Sequence, residues 1–216
     1  MRGYRLILIL ILVIHGACYG QEITTTNYYN GDTYTGTRDG EGRRSGWGTL
    51  IWANGDRYDG EWSKDMPHGH GTLVWADGSR YEGNWVRGQR QGNGTYFSAK
   101  GYSITGKWKK GSCTGTGYLS FGTNDTYEGE FVNGLFHGKG IRHLPDGRVY
   151  HGNFRDGHMS GKGTMLYPNG SKYEGEWEYD RYDGRGTFTD TEKGTITVAM
   201  YVSGKIAKTI SVKTID

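Results

Sequence analysis

The sequence predicts an all-β protein, an elongated single-layer antiparallel β-meander built from tandem β-hairpins. Glycine accounts for 39 of the 216 residues and proline for only 3, which excludes a collagen-like or proline-rich chain. Aromatic residues make up 14% of the chain, whereas disordered chains are poor in them. The third observation is a motif that returns about every 23 residues, and it predicts where the hairpins lie.

Each repeat begins with a residue that is usually tyrosine. Glycine follows two positions later and tryptophan or phenylalanine two positions after that, a period of two that is typical of a half-buried strand. A polar loop, Gly-x-Gly, a short apolar strand and an Asn-Gly or Asp-Gly turn complete the block. The seven blocks begin at Tyr34, Tyr58, Tyr81, Ile104, Tyr127, Tyr150 and Tyr173.

The Asn-Gly and Asp-Gly pairs predict hairpin turns in which both central residues have φ > 0. They occur at residues 54–55, 77–78, 146–147 and 169–170. Glycine also forms two columns inside the strands, exemplified by Gly60 and Gly71. Because glycine is unfavourable in a strand unless something approaches the backbone closely, we expect aromatic side chains to lie across these columns.

The blocks resemble the MORN repeat family over roughly residues 28–195. Block one departs from the motif at Arg38, block four at Ile104 and Asn124, and block seven at Asp180. The resemblance implies protein binding and assembly as the common theme, with lipid binding as the activity that gave the family its name. The residues that carry the resemblance are YEGEW at 173–177, YEGNW at 81–85, YEGEF at 127–131, HGHGT at 68–72 and HGKG at 137–140.

Residues 1–20 have the layout of a secretory signal peptide. Arg2 and Arg5 precede an unbroken apolar run at 6–14, and small residues follow up to Gly20. We therefore predict cleavage after Gly20 and a secreted, extracellular protein. An uncleaved N-terminus that anchors the chain to a membrane is the alternative.

The remainder divides into three predicted segments. Residues 21–33 form an N-terminal half-hairpin cap, and residues 34–195 hold the seven repeats. Residues 196–216 lose the motif but alternate in hydrophobicity, so they are expected to form a C-terminal capping hairpin. Repeat arrays need such caps because each unit buries its core only against its neighbours.

The charge of the mature chain is nearly balanced. Removing Arg2 and Arg5 from the 26 basic residues leaves 24 against 23 acidic ones, which argues against a nucleic acid partner. The distribution is uneven: residues 80–110 hold seven basic residues and one acid, and residues 173–192 hold seven acids and two arginines. Ordinary solvated faces are one interpretation, and a basic patch that binds an acidic partner is the other. The basic patch comprises Arg80, Arg87, Arg90, Lys100, Lys107, Lys109 and Lys110.

The aromatic columns also have two interpretations. They form the core, because a single-layer sheet has little else to bury, or they line a groove that receives a helix or an extended peptide. The candidate binding face comprises Tyr58, Trp62, Tyr81, Trp85, Trp108, Tyr127, Tyr150, Tyr173 and Trp177.

No pattern in the sequence indicates catalysis, a cofactor or a metal. Histidines such as His68 and His70 are expected to be solvated loop residues, since a zinc site needs three or four converging ligands. The Gly-x-Gly pairs precede strands and so lack the helix N-terminus that binds phosphate. After cleavage Cys113 is the one cysteine left, either as a buried small residue, as a free thiol or paired between chains.

Three sequons are candidates for N-glycosylation in an exported protein. They begin at Asn93, Asn124 and Asn169. We expect Asn124 and Asn169, in turns, to be better exposed than Asn93.

The function that fits these observations is a non-enzymatic, secreted structural or interaction scaffold. We expect it to present its repeat surface to a protein partner, with self-association as a second expectation. Two alternatives stay open, a membrane-associated module that binds anionic lipid headgroups and an extracellular glycan-binding repeat protein.

Overall fold

The computed structural model describes residues 22–122 and 124–215, and the predicted signal peptide lies outside them. The described residues form seventeen β-strands and no helix. None of them therefore belongs to an apolar helix long enough to cross a membrane. The prediction of an all-β antiparallel meander of tandem hairpins is confirmed.

The described residues divide into two compact units. The first contains residues 22–100 together with 108–111, and the second contains 101–107 together with 112–215. The strands of the first unit are β1 (Thr24–Asn27), β2 (Thr33–Arg38), β3 (Arg44–Ile51), β4 (Arg57–Ser63), β5 (Met66–Val74), β6 (Arg80–Val86) and β7 (Gln89–Phe97).

Strand β8 (Ser103–Lys109) has residues in both units. Within each unit, consecutive strands pair antiparallel, from β1–β2 to β6–β7 in the first and from β9–β10 to β16–β17 in the second. The strands of the second unit are β9 (Ser112–Ser120), β10 (Thr126–Val132), β11 (Leu135–His143), β12 (Val149–Arg155), β13 (His158–Leu166), β14 (Lys172–Glu178), β15 (Arg181–Asp190), β16 (Thr195–Val202) and β17 (Lys205–Thr214).

The two-residue hairpin turns lie where the sequence predicted polar loops. Between β4 and β5 the turn is Lys64-Asp65, and both residues have positive φ, 51° and 66°. This is the geometry of a type I′ turn, whose twist matches that of the flanking strands. The same pattern returns at the residue pairs 87–88, 110–111, 133–134, 156–157, 179–180 and 203–204.

The prediction that both residues of each Asn-Gly or Asp-Gly pair have positive φ is wrong. Gly55 has a φ of 92°, but Asn54 does not have a positive value. The Gly55 N–H bonds the carbonyl of Trp52, and the Asn54 side chain accepts a bond of 3.0 Å from the Asp56 N–H. The side-chain bond closes the loop, so only the glycine needs the left-handed region.

The second strands of blocks one to three and five to seven contain a β-bulge. Gly60 pairs with Gly71 and Trp62 pairs with Pro67, so one residue of β4 stands opposite residues 68–70 of β5. Gly69, the first glycine of Gly-x-Gly, has a φ of 58° at the centre of the bulge. The predicted loop that holds His68 and His70 is therefore part of a strand, a correction to the sequence-based assignment.

The core consists of tyrosines that lie across glycine pairs. Tyr58 is fully buried, and its hydroxyl donates to the carbonyl of Glu61 at 3.0 Å. A Cβ placed on Gly71 would overlap the phenol, with Cζ only 2.5 Å away. Two glycines therefore leave the space that one ring fills, which confirms that aromatic side chains lie across the glycine columns.

Tryptophans fix each tyrosine to the next hairpin. Tyr58 packs edge-to-face against Trp62 at 5.0 Å and against Trp85 at 5.4 Å between ring centroids. The Trp85 indole N–H donates to the carbonyl of Gly71 at 3.0 Å. Each block thus supplies a ring to the core of the block before it.

The last hairpin, β16–β17, completes the core of block seven. Tyr201 takes the tryptophan position and packs edge-to-face against Tyr173 at 5.3 Å. Both Ala199 and Tyr201 are buried, whereas nearly every residue of β17 is exposed. Burial in this hairpin therefore comes from β16.

Block four has a different core because Ile104 carries no ring or hydroxyl. A Cβ on Gly106 would lie 3.0 Å from Cys113 Sγ, and one on Gly117 would lie 3.1 Å from the Phe131 ring. These neighbours occupy the region that tyrosine fills elsewhere. Cys113 is 1% exposed, and burial raises the pKa of its thiol to about 11.

We expect Gly71→Ala to destabilise the fold by about 3 kcal/mol, because the new methyl group overlaps the buried Tyr58 ring. Guanidinium-induced unfolding measures the change. Gly40→Ala is the matched control, since nothing described lies within 4 Å of its Cβ position, and it should change stability by less than about 0.5 kcal/mol. Equal effects of the two substitutions would contradict the packing described for Tyr58.

Candidate functional site

The two faces of each strand differ sharply in burial. In β6, Tyr81, Gly83 and Trp85 are buried, whereas the alternating residues Arg80 and Glu82 are exposed. We call the first face, with its tyrosines and tryptophans, the aromatic face and the second the outer face. Because side chains alternate along a strand, each position in the repeat belongs to one face.

The nine residues of the candidate binding face lie in the core. None is more than 5% exposed, because every ring is covered by the rings and glycines of adjacent strands. The groove interpretation is therefore corrected, and the core interpretation agrees with the structure. Burial also raises the pKa of the phenols, to about 12 for Tyr34 and Tyr127.

The predicted basic patch is not one surface. Arg90 belongs to the aromatic face, where its guanidinium lies 4.6 Å from the Trp108 ring and donates to the carbonyl of Gly111 at 2.6 Å. Burial lowers the pKa of Arg90. It takes the place that Phe136 has in a later block, where that ring stacks on Tyr127 at 3.8 Å.

The other six basic residues are exposed. The guanidinium of Arg80 lies 4.0 Å from the Phe97 ring. Lys107 and Lys109 are on the face of β8 opposite Trp108, and Lys107 belongs to the second unit. Arg87 and Lys110 are in type I′ turns, and Lys100 follows β7.

We expect Arg90→Ala to lower the free energy of unfolding by about 2 kcal/mol, because it removes a part-buried cation–π contact and apolar packing. Chemical denaturation of the variant measures this loss. Lys109→Ala, at an exposed position, should stay within about 0.5 kcal/mol of the parent. If Arg90→Ala changed stability as little as Lys109→Ala, the packing role described for Arg90 would be contradicted.

In blocks two, five and six, the residue three positions after the starting tyrosine closes the bulge from the outer face. Glu61 Oε1 accepts from the His70 N–H at 2.8 Å, and Glu130 Oε1 accepts from the Lys139 N–H at 2.9 Å. Asn153 instead donates its side-chain amide to the carbonyl of Lys162 at 2.8 Å. Sequence reasoning missed this role, although the preference for Glu or Asn at the position was visible.

Two of the open depressions on the outer face of the second unit lie over paired glycines. Each has the backbone of paired glycines in its floor, because these residues leave no side chain between the flanking columns. The first depression, about 510 Å³, is lined by Thr105, Thr116, Gly117, Tyr118, Glu128, Gly129, Lys139, Gly140, Ile141 and His151. The second, about 490 Å³, is lined by Lys162, Gly163, Thr164, Glu174, Gly175, Glu176, Arg185, Gly186 and Thr187.

The first depression combines apolar and charged side chains. Tyr118 is 43% exposed and Ile141 is 36% exposed. Lys139 and His151 are also exposed at the same site. This mixture suits contact with a polypeptide, which offers apolar and polar groups together. Among the described residues there is no cluster of three or more His, Cys, Asp or Glu that could hold a metal ion.

All three asparagines of the sequons are exposed. Asn93 lies on β7, and Asn124 and Asn169 lie between strands. The Asn169 side-chain amide donates to Glu192 at 2.9 Å. Asn93 follows Gly92, which has a positive φ at the bulge of block three.

Comparisons with solved structures find domains of low similarity. The TCP domain of SAS-4 from Drosophila melanogaster, in complex with a proline-rich motif of Ana2, has 13% identity and a TM-score of 0.46 over 88% of this chain and 97% of that chain. The TCP10 domain of CPAP from Danio rerio, in complex with a STIL peptide, has 14% identity and a TM-score of 0.32 over 96% and 98%. No curated protein has significant sequence similarity to the chain.

The family model of the MORN repeat matches six segments, which together make up more than half of the sequence. The fourth block lies between two matched segments, consistent with its Ile104 and altered core. The matched residues are 41–57, 58–80, 81–101, 127–147, 150–172 and 173–195. The chain belongs to the MORN-repeat family.

Proposed function

We propose that this protein is a non-enzymatic interaction scaffold that binds an extended segment of a protein partner on its outer face. The observation that carries the proposal is the first depression, in which exposed Tyr118 and Ile141 stand beside Lys139 and His151. The aromatic face is already filled by the chain's own rings. The outer face is thus the surface whose exposed side chains can contact a partner.

The shape of the depression favours an extended ligand. It is open, and its floor is the backbone of Gly117, Gly129 and Gly140, contributed by three consecutive strands. An extended peptide presents side chains alternately to either side, so those on one side can enter the depression. Small-molecule sites, by contrast, are concave and bury most of the ligand surface.

Selection of displayed random peptides against the immobilised chain tests the proposal. We expect enriched peptides whose binding is lost in Ile141→Glu, because a carboxylate replaces an exposed apolar side chain of the depression. Leu166→Glu is the matched control, since Leu166 is 46% exposed and lines neither depression. Binding that both substitutions affect equally, or no enrichment, would contradict the proposal.

The same purified chain should be offered to anionic vesicles and to a glycan array. Binding to vesicles of phosphatidylserine with no peptide enrichment would favour the lipid-binding alternative. Binding to glycans alone would favour the carbohydrate-binding alternative. The separation of Arg90 from the exposed basic residues counts against a single lipid-binding surface.

We propose in addition that the scaffold is exported through its N-terminal segment. The supporting observation is the sequence Arg2–Arg5, the apolar run at 6–14 and the small residues up to Gly20. N-terminal sequencing of the native protein recovered from the medium should begin at Gln21. An intact Met1, or a protein retained inside the cell, would exclude the secreted form.

A further inference from the structure

We propose that the bulge of block four is a binding position for a side-chain carboxylate of the partner. We assign this position to Gly115, the Thr116 N–H and Lys107, and Thr116 also lines the first depression. This inference rests on the proposed function, because it names the chemistry that the partner brings to the outer face.

The chain itself shows what such a bulge binds. In block two the Glu61 carboxylate accepts from the N–H of His70, which lies between the two glycines of Gly-x-Gly. In block five the Glu130 carboxylate does the same for Lys139. The backbone of the bulge is therefore a carboxylate site, and blocks two and five fill it from the first strand of the hairpin.

Block four has the bulge without the carboxylate. A Cβ on Gly106 would lie 3.1 Å from Gly117 Cα, and the turn is at residues 110–111, so β9 has two more residues than β8 between these points, as in block two. Gly115 has a φ of 69°, like its counterparts Gly69 and Gly138 at 58° and 56°. Thr116 is the residue between its two glycines, but the position of Glu61 and Glu130 is taken by Lys107. A lysine side chain has only donors, so it cannot accept from the Thr116 N–H.

The space above this bulge is open. A Cβ on Gly69 or Gly138 would meet the carboxylate of Glu61 or Glu130, but in the described residues nothing lies within 4 Å of the Cβ position on Gly115. Within that same part of the chain, no side chain accepts from the Thr116 N–H or pairs with Lys107. A carboxylate from outside has room to enter at Gly115, next to Thr116, and Lys107 stands at the repeat position from which Glu61 and Glu130 reach this bulge.

The position is continuous with the first depression. Thr116 and Gly117 line it, together with Lys139 and His151. Glu128 lines it as well. Selectivity for a carboxylate must therefore come from the Thr116 N–H and Lys107 and not from the net charge of the depression. A charge-assisted bond from an N–H is stronger than a neutral one. The geometry thus fits an extended peptide that places Asp or Glu at the bulge and neighbouring side chains near Tyr118.

The test uses the ¹⁵N-labelled chain and the acetylated, amidated peptide (Glu-Thr)₄, with (Gln-Thr)₄ as the neutral control. We expect the Glu peptide to move the Thr116 amide resonance downfield, with an affinity that falls as salt rises. The Gln peptide should leave this resonance unchanged. Oligogalacturonate supplies carboxylates on a glycan, and a Thr116 shift with this ligand but not with the peptide would overturn the assignment to a protein partner.

Lys107→Glu is the decisive variant because it copies blocks two and five. Its carboxylate should fill the bulge, move the Thr116 amide towards the peptide-bound position, raise the Tm and weaken peptide binding by about tenfold or more. Lys208→Glu, on exposed β17 of the same unit, makes the same charge change and should preserve binding.

Peptide binding that leaves Thr116 unmoved would overturn the proposal, and so would a Lys107→Glu variant that binds the peptide like the parent. In either case the peptide still binds, so the scaffold function would stand while this site would fall. Absence of any binding by (Glu-Thr)₄ would also reject the carboxylate site. The scaffold function would then be judged by the peptide selection, which assumes no acidic ligand.

Discussion

The contact between a tyrosine ring and a pair of cross-strand glycines is the interaction on which the structure depends. The ring occupies the volume that two side chains would otherwise fill, and its hydroxyl closes on the carbonyl three residues later, as in Tyr58 and Glu61. The tryptophan of the following block then covers the ring and bonds a glycine carbonyl. A thin sheet thereby acquires a core from its own side chains, with no second layer required.

Because of this arrangement, different constraints act on the residues of the two faces. Side chains on the aromatic face must fit the space between the packed rings. Even Arg90 contacts a ring there, that of Trp108. Positions on the outer face are constrained chiefly at the bulge, where Glu61 and Glu130 bond backbone N–H groups. The remaining outer positions are free to vary between blocks. Differences between blocks are for this reason more informative about partners than the motif that defines the family.

Much of the fold follows from the sequence because its signals are local. The period of two, the 23-residue spacing and the glycine columns all reflect contacts between adjacent strands. The turn geometry was harder to predict, since Asn54 uses its side chain to close a loop in which it has no positive φ. Nor did the sequence reveal that Gly69 lies in a bulge and places His70 on a strand, because a bulge depends on the register of the neighbouring strand.

The candidate site was less accessible to sequence reasoning. Residues such as Tyr118, Ile141 and His151 come together only through strand pairing, and none stands out by type or spacing. The basic stretch at 80–110 contains Lys107, but only the fold shows that Glu61 and Glu130, at the same repeat position, bond the bulge. A linear charge count groups Lys107 with Arg90, although the two side chains occupy opposite faces of their strands.

The pairing of consecutive strands has a consequence for how the chain folds and how it can change in length. Every described pairing within a unit joins neighbours in the sequence, so no long loop must close before a contact forms. Folding can begin in any hairpin and spread to the next, even while the rest of the chain is being synthesised. For the same reason, adding or removing a whole block leaves the remaining blocks in the same kinds of contact as before. The array can therefore be lengthened by duplication without a new core.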